Sequence, residues 1–324
     1  MLQQTQVVTV IPFFLRFIAA FPSISHLAAA DEQDVLRLWE GLGYYRRARD
    51  LHASAKRFVA EHGGRIPDNA AMVSQLPGFG RYTCNAVLSQ AFDQRLPILE
   101  ANSQRVLSRL LGWSEDPRQG AARQRLWQAA EALLPRKHVG EFNQSLMELG
   151  ALVCTPAAPG CAQCPLAGRC VARQLGLQEK IPARSPAAET VNVQEVGVVI
   201  RQGEKLMLVQ RPASGRWASL WEVPHGPVQK GESINAAASR VVVDMTGLKV
   251  DLGTEVLTIR HAVTRFRITM LCLDANHRGG RFRSDFYRQA AWVAPGELAV
   301  YPLSRPQRKL AEILNAPHRQ GMLF

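Results

Sequence analysis

"LPGFGRYT", residues 76–83, stands between two runs of apolar residues at helical spacing. Gly78 and Gly80 let a tight turn present successive backbone N–H groups, and "RYTCNAVLSQAF" starts the next helix just behind. A turn of that kind at a helix N-terminus binds phosphate without reading sequence. Two nearby glycines also suit any helix–helix connection, so the weight of the stretch comes from its surroundings. Outward on both sides the chain keeps the helical period. "DEQDVLRLWEGL" lies before it, and "SQRVLSRLLGW", "ARQRLWQAAEALL" and "EFNQSLMELGALV" lie after, divided by short Gly and Pro breaks. The opening "MLQQTQVVTV" places Leu2, Val7, Val10, Ile11, Phe14 and Ile18 three and four apart with no capping residue ahead, which predicts the interior of a core-facing helix.

With 324 residues and 47% hydrophobic side chains, the chain has the length of two domains and the material for real cores. No apolar run reaches the ~18 residues of a spanning helix, so no membrane is expected. A formal net charge of +12 draws a protein toward polyanions such as nucleic acid, the plainer alternative being a merely soluble basic surface. Four of the six cysteines crowd together: Cys154, Cys161, Cys164 and Cys170 read C-x6-C-x2-C-x5-C. Four thiolates on one loop can hold a tetrahedral zinc or an iron–sulfur cluster, and the spacing alone does not choose. Cys84 and Cys272 stand apart, as core residues do.

After "LQEKIPARSPAAETVN", rich in Pro, Ala and charge, the period changes to two. "VQEVGVVIR", "EKLMLVQR", "EVLTIRHAV" and "RFRITMLCLDA" are β-rich, while "SINAAASRVVVDM" and "PQRKLAEIL" are helical. The expected architecture is therefore mainly α over residues 1–175, a linker at 176–192, and a smaller α+β domain over 193–324.

The form LPGxGxxT followed by C-x6-C-x2-C-x5-C resembles the endonuclease III superfamily of helix–hairpin–helix DNA base-excision enzymes. "MLQQT", "WEGLGYYRRARDL", "FNQSLMELGALVCTP" and "LWEVP" narrow the resemblance to the MutY branch, the adenine DNA glycosylases. The resemblance implies a 4Fe–4S cluster on the four cysteines rather than zinc. It implies double-stranded DNA carrying adenine opposite 8-oxoguanine or guanine as substrate, with the protein acting as a monomer in the cytoplasm at the bacterial nucleoid. The lyase branch resembles "LPGVGRKT", with a Lys where Tyr82 stands here. That Lys forms a Schiff base with the sugar and cuts the strand. Tyr82 cannot, so base removal without efficient strand cleavage is expected, which sets aside a bifunctional glycosylase–lyase.

The same resemblance assigns roles by position. The family's general acid is a Glu two residues before the "MLQQT" Met, so it is expected upstream of Met1. The family reads like "VDGNxxRV" after the hairpin, where this chain has "LEANSQRV": Glu100 takes the place of the Asp that stabilises the cationic sugar, and Asn102 that of the residue orienting it. Glu100 can also be read as a plain helix cap. Both departures leave a catalytically silent DNA-binding relative as an alternative. Gln4 and Thr5 match residues wedged into the duplex, Tyr44 an aromatic inserted at the lesion or else a core residue, and Leu2 and Gln144 the adenine pocket. Flipping a base out costs a few kcal/mol, so the hole needs a plug. Arg46, Arg47 and Arg49 are expected near phosphates.

In the second half, Gly226, Glu232, Arg240 and Gly247 fit the frame of a Nudix box, yet Val241 replaces the first of its acids and Asp244 with Met245 the later pair, leaving one acid where three hold magnesium. A degenerate Nudix-like domain that recognises 8-oxoguanine, not a Nudix hydrolase, is expected. Its contact loop resembles "FSH" in the family and is Val263, Thr264 and Arg265 here, with Thr264 keeping the hydroxyl.

Overall fold

The computed structural model describes residues 1–183 and 189–316. Two compact units form: Met1–Val59 together with Ala188–Phe324, and Ala60–Ala187.

The first unit opens with helices α1 (Val7–Ala20), α2 (Ile24–Ala29), α3 (Glu32–Trp39) and most of α4 (Arg46–His62). Residues 1–6 are not helical. Gln4 takes a left-handed backbone with φ 58°, and α1 begins only at Val7, so "MLQQT" is a turn and not a helix interior. The buried face of α1 is Val10 and Phe17, while Val7, Ile11, Phe14 and Ile18 are exposed. The sequence misplaced this face because α1 is apolar all round. Only Thr9 and Arg16 break the run "VVTVIPFFLRFIAA", and such a helix has no single stripe for periodicity to find. Val10 and Phe17 join Leu27, Val35, Leu36 and Trp39 in a core that also takes in Leu220.

The rest of this unit is a mixed sheet between two helices. Strands β1 (Val191–Gln202), β2 (Lys205–Gln210), β3 (Trp221–Glu222), β4 (His225–Pro227), β5 (Leu248–Val263), β6 (Phe266–Gly280) and β7 (Gln289–Val293) run in the order β3-β2-β1-β6-β5, with β4 on β1 and β7 on β2. Only the β1–β6 pairing is parallel. Strand alternation puts Val196, Val198 and Ile200 in one core with α11 (Ile234–Thr246), and Val199, Ile268 and Met270 in another with α12 (Arg305–Asn315). α11 is capped by Ser233, whose hydroxyl accepts from the Ala236 N–H, and is ended by Gly247 at φ 69°. The N-terminal helices are tied to this sheet by polar contacts. Arg308 makes a two-pronged ion pair with Glu40 at 2.5 and 2.9 Å, Tyr45 Oη donates to the Leu303 carbonyl, and Trp221 Nε1 donates to Gln33 at 2.9 Å.

The second unit is helical: α5 (Ala70–Val73), α6 (Arg81–Phe92), α7 (Ala101–Leu111), α8 (Gly120–Ala132), α9 (Val139–Glu148) and α10 (Val171–Gln174). α6 and α9 approach closely at Gly140, where a Cβ would lie 2.7 Å from the Ser89 carbonyl oxygen. Asn143 on α9 fixes the pair by donating to Ser89 Oγ and to the Leu96 carbonyl, both at 2.9 Å. Of the linker read at 176–192, residues 184–188 lie outside the described residues, and Val191 already belongs to β1. Residues 317–324 also lie outside them.

Candidate functional site

Within the first unit, the "MLQQT" turn is fastened by one side chain. Arg47 donates to the carbonyls of Met1, Gln3, Leu42 and Gly43 and to Thr5 Oγ1, and lies over the rings of Trp39 and Tyr44 at 5.5 and 5.4 Å. Arg47 is therefore a clamp; its planar fork suits carbonyl oxygens gathered from two loops. Arg46 pairs with Asp50 at 3.5 Å, and Arg49 reaches the Ala213 carbonyl. Tyr44 is 62% exposed and so is no core residue. Its φ of 48° joins the 58° of Gln4 as left-handed backbone in non-glycine residues. Such outliers gather where a fold holds a side chain out for use. Leu2 is 58% exposed beside them.

In the second unit the hairpin hangs on Val73 and Leu76, both buried, with Phe79 packed beside them in the cluster of Val73, Cys84 and Leu88. Gly78 and Gly80 are exposed. Gly78 has φ 78°, so the turn itself requires glycine there. Gly80 caps α6 with an ordinary φ of −68°, and a Cβ on it would meet nothing within 4 Å. The second glycine is thus not demanded by anything inside the protein.

Glu100 is the N-cap of α7. Its two carboxylate oxygens accept from the N–H groups of Asn102 and Ser103 at 2.7 and 2.8 Å, and Ser103 Oγ accepts from the Glu100 N–H in return. Burial, and then the nearby Glu100, push the Tyr82 phenol above its ordinary value, and Tyr82 Oη lies 3.4 Å from Met147 Sδ. Gln144 is exposed and hydrogen-bonded to Gln90 and Glu148. So Tyr82 and Glu100 are brought together with α9 alongside. Asn102 is held by Arg105, which donates to its Oδ1 at 2.9 Å while also donating to the carbonyls of Gly150 and Cys154, each at 2.7 Å. Gly150 sits in a π-helical turn (Leu149–Val153), and a Cβ there would lie 2.6 Å from Asn102 Cβ.

One turn along α7, the buried Arg109 donates to Cys154 Sγ at 3.3 Å and to the Thr155, Pro156 and Ile181 carbonyls, and its own carbonyl accepts from Cys170 Sγ. Cys154, Cys161, Cys164 and Cys170 are free thiols lining one cavity, with roughly 310 Å³ unfilled by protein atoms and open to solvent. Cys161 is pushed up first by burial and then by the other three thiols, with Arg109 lowering it, so the four feel one another within that cavity. Buried Gln178 Oε1, also on its wall, has no hydrogen-bond partner. Four soft sulfur donors around one space fit a metal–sulfur group. Among the described residues, no three His, Cys, Asp or Glu side chains converge tightly enough to hold a single metal ion.

At the degenerate Nudix frame, Val241 is buried and its Cγ2 would lie 2.9 Å from a Cβ on Gly226, with Met245 Sδ at 3.7 Å. Apolar atoms fill the place where acids would stand. Arg240 is closed on Glu232 at 2.8 Å. Thr264 is exposed at the tip of the β5–β6 hairpin with φ 54°, the third left-handed non-glycine residue among those that the sequence points to.

Two domain families match the chain: the HhH-GPD superfamily base excision DNA repair protein over residues 1–132, and the NUDIX domain over residues 195–312. The adenine DNA glycosylase of Mus musculus is 37% identical over 371 residues, covering 99% of this chain and 71% of that protein. The chain belongs to the adenine DNA glycosylase family. The Homo sapiens member is 36% identical over 284 residues, covering 74% of this chain but 52% of that protein, so the chain spans about half its length. A Buchnera aphidicola member is 36% identical over 225 residues, covering 69% of this chain and 65% of its own.

Sequence reasoning about this adenine DNA glycosylase family member missed Arg105, Arg109 and Gly150. The signal available was "NSQRVLSR", two arginines four apart on the helix that starts at Glu100. A buried network in the sheet unit was missed as well. His225 Nδ1 is 3.1 Å from Glu195 and its Nε2 3.2 Å from Glu222, to which Arg211 and Tyr287 Oη also donate at 2.8 and 3.0 Å.

Proposed function

We propose that this protein excises adenine from double-stranded DNA in which adenine is mispaired with 8-oxoguanine or guanine. The observation that carries the reading is Glu100, set at the N-terminus of α7 beside Tyr82, with Asn102 locked by Arg105. Breaking an N-glycosidic bond leaves positive charge on the sugar and demands a proton on the departing adenine. Glu100 lies on the sugar side and stabilises the cation, and water completes the sugar. Tyr82 has no amine to form a Schiff base, so the strand stays intact. The proton on the adenine comes from a carboxylic acid, which the family resemblance assigns to a Glu. Gln4, Thr5 and Tyr44 fill the gap in the duplex, Leu2 and Gln144 border the extruded adenine, Gly78 and Gly80 hold a phosphate, and Thr264 meets the oxidised base. The left-handed, exposed backbones of Gln4, Tyr44 and Thr264 support this assignment.

Cys154, Cys161, Cys164 and Cys170 would hold one 4Fe–4S cluster, which supplies a structural clamp for the loop that α7 leans on. In this reading residues 1–175 form the glycosylase part, 176–192 the link and 193–324 the lesion-recognition part, in a monomer of the cytoplasm acting at the nucleoid. Among the described residues no helix is long and apolar enough to cross a membrane.

The test is single-turnover excision of adenine opposite 8-oxoguanine, by residues 1–324 and by the chain extended upstream. Glu100→Gln is expected to slow the extended chain by on the order of 100-fold or more, and Glu100→Asp to preserve cutting. The full engagement of Glu100 as a cap favours a second reading, a DNA-binding relative without activity. Tight binding with no excision by either length would establish that one instead.

A further inference from the structure

We infer that the open end of the β1–β6–β5 sheet face, built on Arg260 and Arg267, binds the phosphate backbone of DNA without reading its sequence. The inference rests on the DNA-binding reading above and adds a second contact surface to it, separate from the hairpin turn at Gly78 and Gly80.

The register fixes which side chains share this face. Arg260 stands opposite Thr269 and Ala262 opposite Arg267 on the antiparallel β5–β6 pair, while Asn192 and Gln194 of β1 stand opposite Arg267 and Thr269. Further along, the same face is covered by α11 through Val196, Leu271 and Leu273. Toward the hairpin that cover stops, leaving a trough of roughly 670 Å³ lined by these residues. Arg260, Ala262, Arg267, Asn192 and Gln194 are all exposed. The opposite side of the same strands, Val193, Ile268 and Val263, packs into the core with α12.

The charge on this face is one-sided. Residues 256–273 contain Arg260, Arg265 and Arg267 and no Asp or Glu. The acids bordering the run are turned elsewhere: Glu255 accepts from Thr258 Oγ1 at 2.6 Å, Asp274 pairs with Arg201 at 2.6 Å, and Glu195 faces His225. Glu189, just before β1, is one charge against three. Several other arginines in this unit are closed on carboxylates: Arg211 on Glu222, Arg240 on Glu232, Arg278 on Asp251 and Arg308 on Glu40. Arg260 and Arg267 have no ion pair among the described residues. Diagonal neighbours across an antiparallel pair lie about 7–8 Å apart, and like charges so placed repel. A polyanion removes that cost. Two guanidiniums flanked by two amides and a hydroxyl can each donate to a phosphodiester. Arg265, exposed at the tip beside Thr264, carries the strip up to the residue proposed to meet the oxidised base.

The experiment is fluorescence anisotropy of a labelled duplex with the full chain across a salt series, comparing wild type, Arg260→Ala/Arg267→Ala and Arg260→Lys/Arg267→Lys. Each phosphate contact contributes ~0.9 to the slope of log affinity against log salt, so the alanine pair is expected to flatten it by about 1.8 and to weaken binding by roughly tenfold at low salt. The loss should be equal for undamaged and 8-oxoguanine duplexes, and the lysine pair should recover most of it. A slope unchanged in the alanine pair overturns the inference, as does a loss confined to the 8-oxoguanine duplex. If wild type itself fails to bind DNA, the failure belongs to the function proposed above.

Discussion

Glu100 caps α7 and, in the function proposed, also faces the sugar, and the two roles differ in what each substitution removes. As a cap its loss costs about 1 kcal/mol, which asparagine-like side chains partly restore; as a sugar-side charge only a carboxylate serves. Melting and excision measured together on Glu100→Gln should therefore separate, with a small fall in stability and a large fall in rate. His225 gives a purely structural counterpart. Burial lowers its pKa, but Glu222 and Glu195 outweigh burial and raise it to about 9, while both carboxyls are pushed down by their cationic neighbours. A raised folded pKa contributes stability that is complete below the unfolded value near 6.5 and is lost as pH climbs through about 9. On the order of 2–3 kcal/mol should disappear between pH 6.5 and 9.5 in denaturant titrations, and His225→Gln should show little of that slope. At this scale the sequence is most informative where backbone and side chain conspire: Gln4, Tyr44 and Thr264, which the resemblance assigns to DNA contact, all take left-handed backbone. Arg47 was legible as a cation but not as a clamp, because its partners are backbone carbonyls, which no sequence pattern displays.

The hairpin is an element whose two glycines answer to different demands. Gly78→Ala should cost about 1 kcal/mol, because alanine resists a φ of 78°. Gly80→Ala meets no internal obstacle and should leave the melting curve in place; if the turn holds a phosphate as proposed, the added methyl should weaken DNA binding. A loss of stability in Gly80→Ala equal to that of Gly78→Ala would remove the phosphate from the argument. α7 makes a second such case. It joins Glu100 at one end to the cysteine loop at the other through Arg105 and Arg109. Arg105→Gln strips the Gly150 and Cys154 carbonyls of their partner and frees Asn102, and should cost about 2–3 kcal/mol. It should also slow excision while leaving about four irons per chain, the number of one such cluster. α3, α6–α9, α11 and α12 were readable from apolar spacing; α4, rich in Arg and Ala, and the short α2, α5 and α10 were not, and in α1 apolar residues on every side left the buried face undetermined.

For the molecule as a whole, sequence order and packing diverge. The helical half, the change of period near residue 190 and the β-rich half were legible because periodicity is local. The association of residues 1–59 with the sheet was not, because it rests on single contacts between distant residues, such as Glu40 with Arg308. That pair is mostly buried and two-pronged, so a double-mutant cycle of Glu40→Ala and Arg308→Ala should return a coupling of about 1–2 kcal/mol. A coupling near zero would mean that the Tyr45–Leu303 and Gln33–Trp221 hydrogen bonds and the apolar contact at Leu220 hold the segment without it. Cutting the chain after residue 183 should accordingly loosen α1–α3 as well as abolish the sheet, which proteolysis of the N-terminal helices would reveal.

The split of one unit across the ends of the chain also sets a timetable. A ribosome finishes residue 59 long before it begins β1 at Val191, and at ~5–20 residues per second the wait is roughly 7–26 s. Throughout it, Trp39, Leu36 and Val35 have no strand to lean on, while the intervening helical unit has time to close on its own local contacts. During synthesis residues 1–59 thus keep an uncovered apolar face beside a neighbour whose contacts are already local and complete.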